Sequence, residues 1–355
     1  MDKDIITLTV NGMQINGKKG QTVLEVCQEN DIYIPTLCYH PQMRPYGGCR
    51  LCLVEIEKMR GLPPSCTTPA NDGMVVHTHT ENVVRVRKMV LELLLAFGDH
   101  NCLFCESNGI CELQNLVYEH GLENVRYQTD FKPMPLDDSN SMIVRDLNKC
   151  VLCSRCVRAC LEIQVNGVID VANRGSESFI STFEGMPLKD SNCVFCGECV
   201  SVCPTGALTE KQAKFEGRPW EIEKVRTTCT YCGVGCQMDL NIHNGKIVKV
   251  TGNHAYGTPN QGSLCVKGKF GMDFINHPDR LKTPLIKEDG QFREAGWDEA
   301  YDFICKTFTS IKKTYGADSL AGLSSARCSN EENYLFQKFM RAVIGTNNVD
   351  HCARL

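Results

Sequence analysis

The chain has 355 residues and a net charge of −4, with 38 Lys and Arg against 42 Asp and Glu. This length suits two to four domains, and the mixed charge without single-sign blocks excludes a nucleic-acid footprint. The 23 cysteines recur as C-x2-C steps, the habit of metal and cluster sites in a reducing compartment rather than of a short secreted disulfide scaffold.

The opening Met1-Asp-Lys-Asp has no apolar export region and no twin arginine, so a cytoplasmic protein is expected. Ile6, Leu8 and Val10 alternate with Thr7 and Thr9 as in a strand. Asn11-Gly12 predicts a hairpin turn, with Met13 to Ile15 returning. A helix follows over 22–29, capped by Thr22. Strand pair, helix and then a cysteine loop is the order of a ferredoxin-like β-grasp over residues 1–80. Its cysteines, Cys38, Cys49, Cys52 and Cys66, are spaced C-x10-C-x2-C-x13-C, which suits one [2Fe-2S] cluster. Gly47 and Gly48 let the backbone approach such a cluster. A zinc site is the alternative that C-x2-C alone leaves open.

A second domain is expected over 81–128. Residues 82–97 predict an amphipathic helix with Val83, Val86, Val90, Leu93, Leu94 and Phe97 on its core face. Its most apolar part, interrupted by Glu92, is too short to span a membrane. His100, Cys102, Cys105 and Cys111 follow in one loop. Residues 129–141, rich in turn formers, read as a linker.

Residues 140–215 contain a repeat, Cys150-x2-Cys153-x2-Cys156-x3-Cys160 and Cys193-x2-Cys196-x2-Cys199-x3-Cys203-Pro204. In this two-cluster ferredoxin pattern the fourth cysteine of each run serves the other cluster. Cys150, Cys153, Cys156 and Cys203 are thus expected to hold one [4Fe-4S], and Cys160, Cys193, Cys196 and Cys199 a second. The stretch 165–187 exceeds what a minimal ferredoxin needs and suggests no chemistry.

Cys229, Cys232, Cys236 and Cys265 form the last group, C-x2-C-x3-C-x28-C, in a small β-rich domain over 224–281. A hairpin over 237–250 should turn at Asn244-Gly245. From 282 onward a strand at 319–323, a loop and a helix at 331–344 ending on Gly345 predict the start of an α/β cofactor domain. The fold class expected is therefore multidomain α+β. Of the four spare cysteines, Cys27 and Cys305 read as small buried helix residues.

The first two cysteine groups resemble the front of iron-only hydrogenases and of the NADH dehydrogenase large subunit, down to the trailing Cys111-Glu-Leu-Gln. That resemblance implies a [4Fe-4S] held by one histidine and three cysteines. Gly98 occupies the family's histidine position, so His100 is either the ligand or a loop histidine beside a three-cysteine cluster. The Cys229 group resembles the entry domain of bis-pterin molybdenum and tungsten oxidoreductases. The resemblance implies a [4Fe-4S] beside the pterin, with Lys267 as electron relay between them; a plain surface lysine is the competing reading.

Residues 270–285, 324–334 and 345–355 resemble the formate dehydrogenase branch. This implies formate ⇌ CO2 + H+ + 2 e− at a bis-molybdopterin guanine dinucleotide carrying Mo or W, in an anaerobic enzyme. The metal-ligating selenocysteine or cysteine is then expected just after Leu355, with Cys328 and Cys352 nearby but not ligating. The chain itself would be the wire of four [4Fe-4S] clusters and one [2Fe-2S], in sequence order. Its redox partner would be a flavin diaphorase, a ferredoxin or a hydrogenase, since no G-x-G-x-x-G nicotinamide fingerprint is present. The alternative is a non-catalytic electron-transfer subunit of a hydrogenase or NADH-dehydrogenase-like complex.

Overall fold

The computed structural model describes residues 4–129, 131–253 and 257–352. They form two compact units, Met1–Lys224 with Asn241–Asn244, and Val225–Leu240 with Gly245–Leu355.

In the first unit, β1 (Ile5–Val10) and β2 (Met13–Lys18) pair antiparallel from Ile5↔Lys18 to Val10↔Met13. The turn is the expected Asn11-Gly12, both residues in the left-handed region that this tight hairpin requires. Helix α1 (Val23–Glu29) starts on a full capping box, Thr22 and Glu25 each satisfying the other's backbone N–H. With β3 (Glu55–Ile56) and β4 (Val75–His77) the sheet runs β2-β1-β4-β3, β4 lying parallel to β1. Leu8, Val10, Val23, Leu24, Val26 and Val76 fill its core with Cys27, which is buried as expected.

Helix α2 (Glu81–Ala96) is capped by Thr80. Its buried face differs from the predicted stripe: Val83, Arg87, Leu91 and Glu92 are buried, whereas Leu93 is 48% exposed. Hydrophobic periodicity could not anticipate this, because Arg87 and Glu92 are buried against distant partners. Arg87 bonds backbone carbonyls of the cysteine loop, and Glu92 accepts from Arg126 at 2.7 Å. Helix α3 (Glu112–Glu119) packs Leu113 and Leu116 into a second core with Leu37, Leu51, Leu91 and Val151.

The ferredoxin-like region pairs β5 (Ile143–Arg145) with β8 (Leu208–Glu210) across two short helices, α4 (Arg155–Arg158) and α5 (Glu198–Ser201). The stretch left without a role folds as an antiparallel hairpin, β6 (Ile169–Ala172) with β7 (Phe179–Thr182). The described residues of the predicted linker form no strand or helix, yet they are anchored. Asp137 exchanges backbone hydrogen bonds with Arg145 at 2.9 and 3.0 Å, and Met134 does so with the Asn148 side chain.

Most of a three-stranded sheet falls in the second unit: β9 (Glu223–Thr228), β10 (Gln237–His243) and β11 (Lys246–Gly252), in the order β11-β10-β9. The β10–β11 turn falls on Asn244-Gly245, again with two positive φ values. Helix α6 (Val266–Phe270) and the hairpin β12 (Leu285–Glu288) with β13 (Gln291–Glu294) follow. Then come α7 (Trp297–Tyr315), β14 (Gly322–Ser324), α8 (Asn330–Phe339) and β15 (Val349–His351). The strand expected at 319–323 thus begins at Gly322, residues 317–319 forming a 3-10 turn. β14 and β15 lie parallel, a strand–helix–strand unit. Helix α8 ends through one π-turn at Gly345, whose φ of 86° makes it the left-handed cap expected there. Cys305 is exposed on α7, contrary to expectation. Its helix turns Trp297, Tyr301, Phe303 and Ile304 outward too, so no core forms over it among the described residues.

Candidate iron–sulfur sites

Cys38, Cys49, Cys52 and Cys66 are all buried, at the seam of the first unit's two cores. They interact as pairs. The Cys49 thiol donating to Cys38 holds the Cys38 thiol well below its ordinary range, and Cys66 does the same for Cys52. Cys49 and Cys66 are pushed up in turn by their thiolate partners and by burial. The Cys49 N–H also points at the Cys38 sulfur, 3.5 Å away. Two arginines absent from the sequence-based candidate list fasten this loop. Arg87 donates to the Leu51 and Leu53 carbonyls at 2.9 and 2.7 Å. Arg158 donates to the Cys38 carbonyl and, at 2.7 Å, to that of Arg44.

His100, Cys102, Cys105 and Cys111 line one cavity with Lys149, Thr205 and Gly206. The ring Nε2–H of His100 donates to the Leu94 carbonyl at 3.2 Å, which leaves Nδ1 free for a metal. Burial pushes the Cys111 thiol up to about 11, with Cys105 and Cys102 close enough to add to the shift. Gly98, at the family's histidine position, has φ of 130°, and a Cβ there would lie 2.7 Å from the Asn148 carbonyl oxygen. A side chain at 98 is therefore excluded in this backbone, which leaves His100 as the histidine of the cavity. Gly206 is equally constrained: its Cβ would stand 2.4 Å from the Cys105 sulfur. Gly206→Ala should cost about four irons per chain, the content of one [4Fe-4S], with the other clusters retained. Iron analysis of the anaerobic protein checks it, and unchanged iron would count against a cluster on Cys105.

Cys150, Cys153, Cys156 and Cys203 line a largely apolar cavity, walled by Ile169, Ile180 and Leu188 from the hairpin segment. Cys199 of the second run lines the same cavity, so both of the last two cysteines of that run reach the first run's thiols. Burial is the first cause raising every thiol of the set, Cys150 to about 11 and Cys153 to about 12. The Leu152 N–H faces the Cys150 sulfur at 3.4 Å. Cys160, Cys193, Cys196 and Cys199 form the complementary group, each of the last three thiols feeling the charge of Cys160. Backbone N–H groups of Val168 and Phe195 face Cys160 and Cys193 at 3.4 Å. Buried thiols that resist ionisation, ringed by N–H donors, fit a cationic iron core that takes them as thiolates.

In the second unit Cys229, Cys232 and Cys265 all bear on Cys236, whose thiol burial pushes up. Cys229 and Cys236 pack on the core of Met238, Val250, Leu264 and Met272; Cys232 and Cys265 are exposed. Lys267 is exposed on α6. Cys352 follows β15, its sulfur 3.5 Å from the Ser325 hydroxyl in the loop after β14. Both lie at the C-terminal ends of the parallel strands, where α/β domains take ligands. Among the described residues no three His, Cys, Asp or Glu side chains converge on a single ion position. A cluster instead asks for thiolates spread around its own core of iron and sulfide.

Sequence order suggests a linear wire; contacts within the first unit also join cysteine groups that are not neighbours in sequence. The second core joins Cys38 and Cys49 of the first loop directly to Val151 and Cys153 of the ferredoxin run. On another side Arg155 forks onto Glu112, beside Cys111, at 2.6 and 2.9 Å. The Glu112 N–H also reaches the carbonyl of Pro204, beside Cys203, at 2.9 Å. The segments carrying the Cys150–Cys203 set therefore contact those carrying the Cys38 and the Cys102 groups.

Five groups of cysteines, four of them in the first unit, define an electron-transferring iron–sulfur chain. Family comparisons agree segment by segment. Residues 3–81 match a 2Fe-2S iron-sulfur cluster binding domain and 87–126 the NADH-ubiquinone oxidoreductase-G iron-sulfur binding region. Residues 140–209 match the ferredoxin-like domain of NADH-quinone oxidoreductase subunit 3. Residues 222–277 match the molybdopterin oxidoreductase Fe4S4 domain, and 280–355 the molybdopterin oxidoreductase family. The chain belongs to the molybdopterin oxidoreductases and carries iron–sulfur domains of the NADH-dehydrogenase G type.

It is 40% identical over 351 residues to the NADPH-Fe(3+) oxidoreductase subunit alpha of Geobacter sulfurreducens, covering 99% of this chain and 40% of that one. A Staphylococcus aureus protein named "Putative formate dehydrogenase" is 34% identical, over 98% of this chain and 39% of its own length. The chain thus spans about two fifths of these relatives. A subunit in the crystal structure of an NAD+-reducing [NiFe]-hydrogenase aligns with TM-score 0.56 and 36% identity, over 60% of this chain and 90% of that one. No described helix is long and apolar enough to cross a membrane.

Proposed function

We propose that this chain is the electron-transfer portion of a cytoplasmic formate dehydrogenase or CO2 reductase. The observation that carries the electron-transfer part is the gathering of thiols around two cavities of the first unit and about Cys236 in the second. Formate as substrate rests on the likeness of residues 270–285, 324–334 and 345–355 to that branch, and on the Staphylococcus relative. When bound, the clusters carry single electrons, and a bis-molybdopterin guanine dinucleotide with Mo or W exchanges two electrons with formate.

The chain's own residues provide the setting. Cys38, Cys49, Cys52 and Cys66 would hold a [2Fe-2S]. His100 through Nδ1, with Cys102, Cys105 and Cys111, would hold a [4Fe-4S]; the bond to Leu94 supports this reading by fixing the ring. The crossed ferredoxin sets and Cys229, Cys232, Cys236 and Cys265 would hold three more. Lys267 would face the pterin, its cation favouring negative charge there. The position of the Cys150–Cys203 site makes it the junction from which the [2Fe-2S] loop and the His100 site branch. Either branch could meet an external flavin diaphorase, ferredoxin or hydrogenase subunit.

A second reading, a non-catalytic subunit of a hydrogenase or NADH-dehydrogenase-like complex, is favoured by the likeness to the hydrogenase subunit. The native protein, prepared anaerobically, separates them. The formate reading expects about 18 irons per chain, Mo or W in step with the protein, and reduction of a viologen dye by formate. Full iron without Mo, W or formate activity would leave the second reading; iron near two atoms would sink both.

A further inference from the structure

We propose that Arg145 is a redox-tuning cation of the ferredoxin-like region, a positioning residue that favours the reduced state of the clusters on either side of it. This rests on the thiolate sets assigned above. Arg145 ends β5 and is only 7% exposed. It lines the same cavity as Cys150, Cys153, Cys156 and Cys203. Its charge also reaches the other set, drawing the Cys193 thiol back down against the upward push of burial.

The decisive feature is what the guanidinium lacks. Its Nη2 lies 3.3 Å from Asp137 Oδ2, but Nε and Nη1 are buried without any hydrogen-bond partner. Guanidinium stays charged in proteins, and burying its donors unpaired is costly. Arg155 and Arg158 each leave only Nε unpaired, their forks being taken by Glu112 and by backbone carbonyls. Arg145 therefore has two donors to offer in a sulfur-lined cavity, where thiolates and cluster sulfides are the acceptors at hand. Each added electron brings one negative charge, which a close cation in a poorly screened site favours. Asp137 opposes the effect by neutralising part of that charge.

The two residues should consequently act with opposite signs. Potentiometric titration of the whole anaerobic protein with dithionite, followed by paramagnetic resonance, reads this without any turnover. Arg145→Met should lower the midpoint of at least one ferredoxin-region [4Fe-4S] signal by about tenfold in the reduced-to-oxidised ratio, about 59 mV for a one-electron couple. The [2Fe-2S] midpoint should stay unchanged. Asp137→Asn, which keeps Arg145 and one oxygen acceptor, should raise the same midpoint. If Arg145→Met loses a cluster on purification, Asp137→Asn alone decides. An unchanged or lowered midpoint in Asp137→Asn, or an unchanged one in an iron-replete Arg145→Met, overturns the proposal. Absence of [4Fe-4S] signals from the unsubstituted protein would instead overturn the ligand assignment beneath it.

Discussion

Cys203→Ala is expected to remove about four irons per chain, and the cluster lost should be the one on Cys150, Cys153 and Cys156. Cys203 closes the second cysteine run, yet with Cys199 it lines the cavity of the first, and its charge raises the thiols of Cys153 and Cys156. Around its own sulfur stand backbone donors of Thr205, Ala207 and Leu208. The assignment is tested by a pair of variants. If Cys153 and Cys203 serve one cluster, Cys153→Ala/Cys203→Ala loses the same four or so irons as either single change. A loss of about eight in the double variant would mean that each run keeps its own cluster, and the crossed arrangement would be wrong.

Arg87→Ala should destabilise the N-terminal β-grasp by about 3 kcal/mol, since two carbonyls of the ligand loop lose their donor. Those carbonyls, Leu51 and Leu53, flank Cys52, and the guanidinium that binds them is 4% exposed, so water cannot simply replace it. The loop should loosen around its thiolates, and the [2Fe-2S] signal should fade while the [4Fe-4S] signals persist. Thermal unfolding and visible absorption of the anaerobic protein report the two effects. Arg87→Lys, retaining the charge with a single donor head, should fall between. Unchanged stability with a full [2Fe-2S] signal would remove Arg87 from any role in holding the loop.

The arginines explain why parts of these sites were hidden from sequence reading. Arg87, Arg145, Arg155 and Arg158 look like ordinary charged residues on a helix, a strand end and a cysteine run. For three of them the partners lie far along the chain: 36 residues for Arg87 to Leu51, 43 for Arg155 to Glu112, and 120 for Arg158 to Cys38. No local pattern marks such pairs. The same holds for the linker and the hairpin segment. The first supplies Asp137 to Arg145, and the second walls the Cys150 cavity with Ile169 and Ile180. Neither stretch carries a periodic or compositional sign of that use.

What could be read directly was what depends on neighbours a few positions apart. Turns at Asn11-Gly12 and Asn244-Gly245 follow from the φ > 0 that these residues tolerate, and Thr22 with Glu25 forms its cap within four residues. Cysteine spacing likewise limits which thiols share a cluster, because a short loop can wrap only so much iron and sulfide. Tertiary packing alone decided that Gly98 has no room for a side chain, leaving His100 in the cavity, and that Lys267 stands exposed. It also packed Cys38 and Cys49 against Val151 and Cys153, and joined Arg155 to Glu112 beside Cys111, contacts between segments far apart in sequence. The reason is physical: burial, desolvation and charge act through space, whereas turns, caps and ligand spacing act along the chain.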